Sequence, residues 1–226
     1  MLVLLTNDDG YGADGLKALE KAFANIEHVV VAPKFEQSEC GHRVTTKTDI
    51  SVEQLAKNHF VVDGTPADCV RIALMELFPE ITHVVSGINS GANLGADQYI
   101  SGTVAAAREG TYQNRQCYAV SQYIVKNIPL HWNEVAQSFF NFFSESLKGT
   151  LPEHSFYNIN YPCLNEGIKH SKWINANPDR SPLPVSYESS GNSYRYNGVF
   201  SERKKVVESD IDVCFGGNIS VSTIQI

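Results

Sequence analysis

The sequence holds no run of about 18 apolar residues, which excludes a membrane-spanning helix of ordinary length. It also lacks a basic stretch followed by a short apolar segment and a small-residue cleavage site, so no secretory signal is expected. Cysteine is scarce. The five that occur (Cys40, Cys69, Cys117, Cys163, Cys214) are odd in number and none has C-x-x-C spacing. That argues against a disulfide framework and against zinc, and predicts a reduced, cytoplasmic chain. Basic residues are outnumbered, 18 Lys and Arg against 25 Asp and Glu, for a formal charge of -7, and no Lys/Arg stripe appears. A large surface for polymeric nucleic acid is therefore excluded. A small anionic substrate would need local compensation of its charge, for example by a bound cation.

What is present is enough for one α/β domain with an appendage: 226 residues, 42% of them hydrophobic. Met1 to Thr6 is apolar and ends at Asn-Asp-Asp-Gly, as a buried strand does. Leu16, Leu19, Ala22 and Phe23 follow at helical spacing, and "HVVVA" (28–32) is a second buried strand stopped by Pro33. Two buried strands joined by a helix form a βαβ unit, the building block of parallel sheets. "HFVVDGTPADCVRIALMELF" repeats the pattern, with a strand ending at Asp63-Gly64 and Pro66 in a first helical turn. "ITHVVSGINSGANLGADQYISGTVAAAREG" reads as a strand, a long Gly/Asn loop and a helix from about Thr103. "QCYAVSQ" is another short strand. Trp132, Val135, Phe139, Phe142, Phe143 and Leu147 form an apolar helical stripe that belongs to the core.

The composition changes after about residue 176. "NPDRSPLPVSYESSGNSYRYNG" is rich in Ser, Pro, Tyr and Asn and cannot build its own core. Two readings stand side by side: a protruding hairpin arm that orders against another subunit, or a surface loop. "NISVSTIQI" then alternates as a strand. The expected division is an α/β core over 1–176 and an arm with a C-terminal strand over 177–226.

In open parallel sheets ligands bind at the carboxyl ends of the strands. Three polar loops leave such ends: Asn7-Asp8-Asp9-Gly10, "PKFEQSECGHR" and "SGINSGANLGADQYISGT". Gly10, Gly12 and Gly15 spell G-x-G-x-x-G between a strand and a helix, the context of a dinucleotide-binding fingerprint. Asp8 and Asp9 oppose that reading, because a carboxylate about 4 Å from a phosphate oxygen costs about 4 kcal/mol at an effective dielectric of 20. The second strand also ends Ala32-Pro33-Lys34, without the acid that would hold a ribose. Two adjacent carboxylates instead suit a hard cation, Mg²⁺ or Mn²⁺, with Ser38 and Asn89 as neutral oxygen donors from the adjoining loops. Such a cation would draw in a phosphate, polarise it and acidify a bound water. The glycines then serve to turn the chain. Asp8-Asp9 alone would equally suit a turn and a helix cap. The third loop favours chemistry, because it runs into Ser101-Gly102-Thr103 at a helix N-terminus, a ready anion site.

At these residues the chain resembles the SurE (survival protein E) 5′/3′-nucleotidases. The resemblance is carried by "LTNDDGYGADG", "VVAPKFEQSECGHRVT", "GTPADCV", "VSGINSGANLGADQYISGTVAAAREG" and, more loosely, "SDIDVCFGGNISVSTI". It implies an α/β, Rossmann-like fold with a mostly parallel sheet flanked by helices and a swapped C-terminal arm, assembled as a homodimer or homotetramer. It implies metal-dependent release of phosphate from nucleoside 5′- and 3′-monophosphates, in some members also from polyphosphate. One divalent cation would sit on Asp8, Asp9, Ser38 and Asn89, and the phosphate on Asn93, Ser101, Gly102, Thr103 and Gly41. Asp8 and Asp9 are the expected catalytic residues, with Asp9 orienting the attacking water or taking its proton. Where many members carry small residues, this chain has Ser38-Glu39-Cys40-Gly41-His42. His42 is the one histidine in a candidate loop, read either as a leaving-group acid or as a hydrogen-bonding residue. Arg43 and Arg108 either offset substrate charge or form ion pairs.

Two rival chemistries fit less well. A receiver module also places an acidic pair after its first strand, and Asp63 partly matches its phosphoacceptor. No Lys, however, ends "QCYAVSQ". A haloacid-dehalogenase-type phosphatase needs Asp-x-Asp, and here the two acids are adjacent.

Overall fold

A computed structural model describes residues 1–149 and 151–226. Its strands are β1 (Val3–Thr6), β2 (His28–Pro33), β3 (Val52–Ala56), β4 (His59–Val62), β5 (His83–Ser90), β6 (Gln116–Gln122), β7 (Ser155–Tyr161), β8 (Trp173–Asn175), β9 (Tyr187–Ser190), β10 (Ser193–Tyr196) and β11 (Ile219–Gln225). Its α-helices are α1 (Asp14–Ala22), α2 (Pro66–Ile72), α3 (Gly102–Tyr112), α4 (Trp132–Ser146) and α5 (Asp210–Phe215). Nine strands form one sheet in the order β3-β4-β2-β1-β5-β6-β7-β11-β8, and β9 pairs with β10 in a separate hairpin. All neighbours in the large sheet run parallel except β3 with β4 and β7 with β11. The fold is thus the expected mostly parallel, Rossmann-like α/β sheet.

The apolar strands are buried on both faces, and their alternation divides two cores. Val3 and Leu5 of β1 join Leu16, Leu19 and Phe23 of the α1 region and Val135, Phe139 and Phe143 of α4. Leu2 and Leu4 face the other way, onto Cys69 and Val70 of α2 and Val104, Ala106 and Ala107 of α3. The α4 stripe is therefore core, as expected, although Leu147 at its end is exposed. Thr65 and Asp68 close a capping box at the start of α2, with Pro66 in the first turn.

From β1 the chain first builds outward through β2 and β4, then returns to β5 on the other side of β1. The sheet's switch point lies between β1 and β5, which pair in register from Val3↔His83 to Thr6↔Ser86. The carboxyl ends of these two strands bound the crevice where such sheets bind ligands.

The sequence expectation misses several elements. β5 does not stop before the Gly/Asn loop but runs on to Ser90, so Asn89 sits at a strand end. β3 has no buried residue and holds its place by pairing with β4. β11 lies between β7 and β8, so the last strand of the 177–226 segment is part of the same sheet as the 1–176 core. The Ser/Tyr-rich stretch, by contrast, contains a hairpin as one of its two readings expects, β9–β10, whose eight residues are all exposed.

Candidate metal and phosphate centre

The three rim loops meet at the switch point. Asp8 and Asp9 follow β1, and Asn7 Nδ2 bonds the Gly10 carbonyl at 2.9 Å to close the turn. Gly10 has φ +96, a left-handed conformation that its missing side chain permits. Gly15 has a different duty. A Cβ there would lie 2.0 Å from the Ile88 carbonyl oxygen, so it lets α1 approach β5 closely. Gly12 has open space around it and no special φ, so the expectation that all three glycines serve the turn holds for Gly10 alone.

The Gln37 N–H donates to the Asp8 carbonyl at 2.8 Å, which brings the Ser38 loop to β1. The Ser90 N–H donates to Asp9 Oδ2 at 3.1 Å, which brings the end of β5 to the second carboxylate. Thr103, in the first turn of α3, donates its hydroxyl to Asp8 Oδ1. A Cβ on Gly102 would stand 2.8 Å from the Asp8 Cβ and 3.0 Å from Cys40 Sγ, so α3 abuts Asp8 because residue 102 is a glycine.

Asp8 is 6% exposed. Burial pushes its carboxyl up to about 6; the Thr103 hydrogen bond opposes this and the Asp9 charge adds to it. The Asp9 carboxyl is also raised, by burial and then by Glu36, against the Ser90 N–H. No Lys or Arg pairs with either acid among the described residues. A carboxylate pair at a strand end, desolvated and without a cationic partner, is the donor chemistry of a hard-cation site. Asn89 fits it too. Its Nδ2 donates to the Gly91 carbonyl at 2.7 Å, leaving the carbonyl oxygen Oδ1 as the group still available. Ser38 is exposed and donates its hydroxyl to Glu36 Oε1, which leaves its oxygen lone pairs free. No cluster of three His, Cys, Asp or Glu side chains that could hold a metal ion occurs among the described residues.

The expected phosphate group of residues divides. Ser101 accepts the Val104 N–H at 3.1 Å and keeps its hydroxyl proton to donate. The Gly102 N–H remains as a donor of the first turn of α3. The Thr103 N–H and hydroxyl, by contrast, are both turned to the Asp8 carboxylate. The Gly41 N–H is spent on the Ile100 carbonyl at 3.0 Å, which ties the second loop to the third. Asn93 is buried, and its Nδ2 donates to Ser121 Oγ at 2.8 Å. Its N–H donates to Asn160 Oδ1 at 2.7 Å, and its carbonyl accepts from Asn158 Nδ2 at 2.8 Å. It braces the loop against β6 and β7 and makes no hydrogen bond to Asp8 or Asp9.

His42 is a hydrogen-bonding residue, with Nε2 2.8 Å from Glu109 Oε2. Arg71 grips the same carboxylate through Nε at 2.8 Å and Nη2 at 3.2 Å. Burial alone would push the Glu109 carboxyl up, but the hydrogen bonds from His42 and Arg71 and the Arg71 charge outweigh it and hold it at about 2. Arg43 donates to Gln37 Oε1 at 2.9 Å and Arg108 to the Gln98 carbonyl at 2.8 Å, so both brace loops. The Cys40 thiol is pushed up by burial and by the Asp8 charge, which keeps it protonated. Sequence reasoning misses Glu36, whose only signal is an acid two residues before Ser38. It also misses Glu109, 67 residues from its partner His42. A cleft of about 1650 Å³ lies apart from the acids, between Tyr99, the end of β8 and residues 206–218.

The family model described as survival protein SurE matches residues 3–181. A relative from Synechocystis sp. is 42% identical over 226 residues, covering 100% of both chains. The 5′-nucleotidase SurE of Geotalea uraniireducens is 36% identical over 235 residues, covering 100% of this chain and 93% of that one. Among solved structures, the SurE protein from Aquifex aeolicus superposes with a TM-score of 0.85 at 30% identity, covering 100% of this chain and 93% of that one. With its family model over most of its length and full-length relatives above 30% identity, the chain belongs to the SurE family.

Proposed function

We propose that this chain is a metal-dependent phosphatase that hydrolyses nucleoside 5′- and 3′-monophosphates to nucleoside and phosphate. The single observation that carries the chemistry is the contact between the buried, unpaired Asp8 carboxylate and the first turn of α3, made by Gly102 and Thr103. A cation cage and an anion cradle share one wall. The nucleoside part of the reading rests on relatives named 5′-nucleotidase SurE.

Asp8, Asp9, Ser38 and Asn89 would hold one divalent cation, Mg²⁺ or Mn²⁺. Bound there, it supplies positive charge against the phosphate and acidifies water. The protein's own groups do the rest. The Gly102 N–H and the Ser101 hydroxyl meet the phosphate oxygens, helped by the positive end of α3. Thr103 holds Asp8 in place, and the Ser90 N–H orients Asp9. Asp9 takes a proton from the attacking water. Water oxygen bonds to phosphorus, the ester oxygen leaves, and that oxygen takes a proton from solvent.

The exposed hairpin supports assembly through a swapped arm into a homodimer or homotetramer. Tyr187, Tyr194 and Tyr196 on it are all exposed, as is Val185 beside it. The five free thiols suit the reducing cytoplasm.

The test is phosphate release from AMP after chelation, then with Mg²⁺ or Mn²⁺ restored, beside Asp9→Asn. The expected result is metal-restored release that the variant lacks. No release with any metal from a folded protein overturns the reading. 3′-AMP and polyphosphate complete the screen.

A further inference from the structure

Residues 92–101 touch the sheet through Asn93, which β6 and β7 hold, and have a second support besides. Ala92 and Leu94 pack with Ile211 and Cys214 in a small apolar cluster separate from the two main cores, and Tyr123, Phe200 and Phe215 pack against it. Tyr123 stacks on Phe215 and on Phe200, with ring centroids 4.8 and 5.8 Å apart. The Gly95 N–H donates to Asp210 Oδ2 at 2.7 Å. The floor of this loop is thus built by the chain that follows the β9–β10 hairpin.

The centre of that floor is an ion pair. The Arg203 guanidinium grips the Asp97 carboxylate with both Nη groups, Nη1 to Oδ2 and Nη2 to Oδ1, the latter at 3.2 Å. The two side chains are 2% and 11% exposed. Nη1 also reaches the Leu94 carbonyl at 3.5 Å, and the guanidinium lies 4.4 Å from the centroid of the Phe200 ring. A buried pair of this kind is weak evidence for stability, because desolvation offsets the attraction. What a two-pronged guanidinium supplies is orientation, which a lysine cannot reproduce.

The phosphate end of the site hangs from Asp97. Its carbonyl accepts the N–H of Ile100 at 3.0 Å and of Ser101 at 3.1 Å. The Ile100 carbonyl in turn holds Gly41, and Ser101 caps the helix that presents Gly102 and Thr103. We propose that Arg203 is a positioning residue for this site, which acts through Asp97 to set where the first turn of α3 meets the phosphate. The segment after the hairpin is then a working part of the catalytic centre. This rests on the phosphatase reading above.

The experiment uses the full chain with Arg203→Met, Arg203→Lys and Asp97→Asn. Folding is followed by circular dichroism and thermal melting. Titration calorimetry measures Mn²⁺ alone, then inorganic phosphate in its presence, and KM and kcat are measured with AMP. Arg203→Met and Asp97→Asn are expected to bind Mn²⁺ within about twofold of wild type. Their phosphate dissociation constant and KM should rise about tenfold, the scale on which small misplacements act. The double variant should be no worse than either single one, since the pair acts as a unit. Arg203→Lys should stay nearer to Arg203→Met than to wild type. Folded variants with wild-type phosphate affinity and KM overturn the inference. If Arg203→Met does not fold, Asp97→Asn and Arg203→Lys decide it by the same comparison. A wild-type protein that neither binds phosphate nor hydrolyses AMP overturns the proposed function and the inference with it. A wild type that hydrolyses AMP beside variants that do so equally overturns the inference alone.

Discussion

Replacing Glu109 by Gln removes the carboxylate on which His42 and Arg71 converge. Glu109 is 1% exposed and its carboxyl is held at about 2 against an ordinary 4.5. A difference of that size corresponds to about 3 kcal/mol of folding free energy at pH 7. The Arg71 side chain is 43% exposed, and solvent screens its share, which brings the expected loss to about 2 kcal/mol. The sign follows from the depressed value. The stabilisation is complete above about pH 4.5 and is lost as the pH falls through about 2. Urea unfolding of wild type and Glu109→Gln at pH 7, 4.5 and 3 measures it. The gap should be widest at pH 7 and narrow towards pH 3. The clamp also pins His42, which adjoins Gly41 in the loop that carries Ser38, so Mn²⁺ should bind a few-fold more weakly to the variant. A gap that does not change with pH, or no gap, would falsify the claim that the clamp works through an ionised Glu109.

Other substitutions test the rest of the geometry. Asp8→Asn should abolish metal-dependent phosphate release while raising the melting temperature of the metal-free protein, because it removes a buried charge beside Asp9; a lower melting temperature contradicts this. Gly102→Ala places a methyl 2.8 Å from the Asp8 Cβ and should cut kcat/KM about 100-fold, a misplacement effect, in a protein that still folds. Near-normal kinetics would remove α3 from the site. Gly15→Ala should cost about 3 kcal/mol or more, since its Cβ would overlap the Ile88 carbonyl, whereas Gly12→Ala should stay within about 0.5 kcal/mol of wild type. Denaturant unfolding separates the two.

The β1, β2 and β5 runs were readable because a strand covered on both faces must be apolar throughout. The α4 stripe was readable because one face meets α1 and the sheet. β7 was not, although it is central. Its Asn158 and Asn160 are buried polar residues that are committed to Asn93, and no sequence pattern distinguishes them from loop asparagines. β3 was not readable either, because what holds it is backbone pairing at an edge. In the proposed site, the acid pair and its neutral partners are named from residue type and position after strands. The fate of each hydroxyl and N–H does not. Whether Thr103 serves phosphate or Asp8 depends on a contact between residues 95 positions apart, which only the packing of α3 against the β1 turn decides.

The G-x-G-x-x-G spacing shows why a motif can be locally correct and still name the wrong ligand. Its first glycine turns the chain after β1, and its third admits α1 against β5, the same two tasks such glycines perform in a dinucleotide site. Both tasks belong to the strand–helix junction and not to the ligand. What selects the ligand is the pair of residues before the first glycine. With Asp8 and Asp9 there, a phosphate approaching the start of α1 meets two carboxylates, each repelling it by about 4 kcal/mol at 4 Å and an effective dielectric of 20. The cap residue of α1 is Ala13, which brings no hydroxyl or other side-chain donor to that helix start. At α3 the balance reverses: Ser101 caps the helix, Gly102 leaves room, and the Thr103 hydroxyl draws Asp8 towards itself. In the proposed site the anion is therefore met at the third helix and not at the first, and the first turn is left to positive charge.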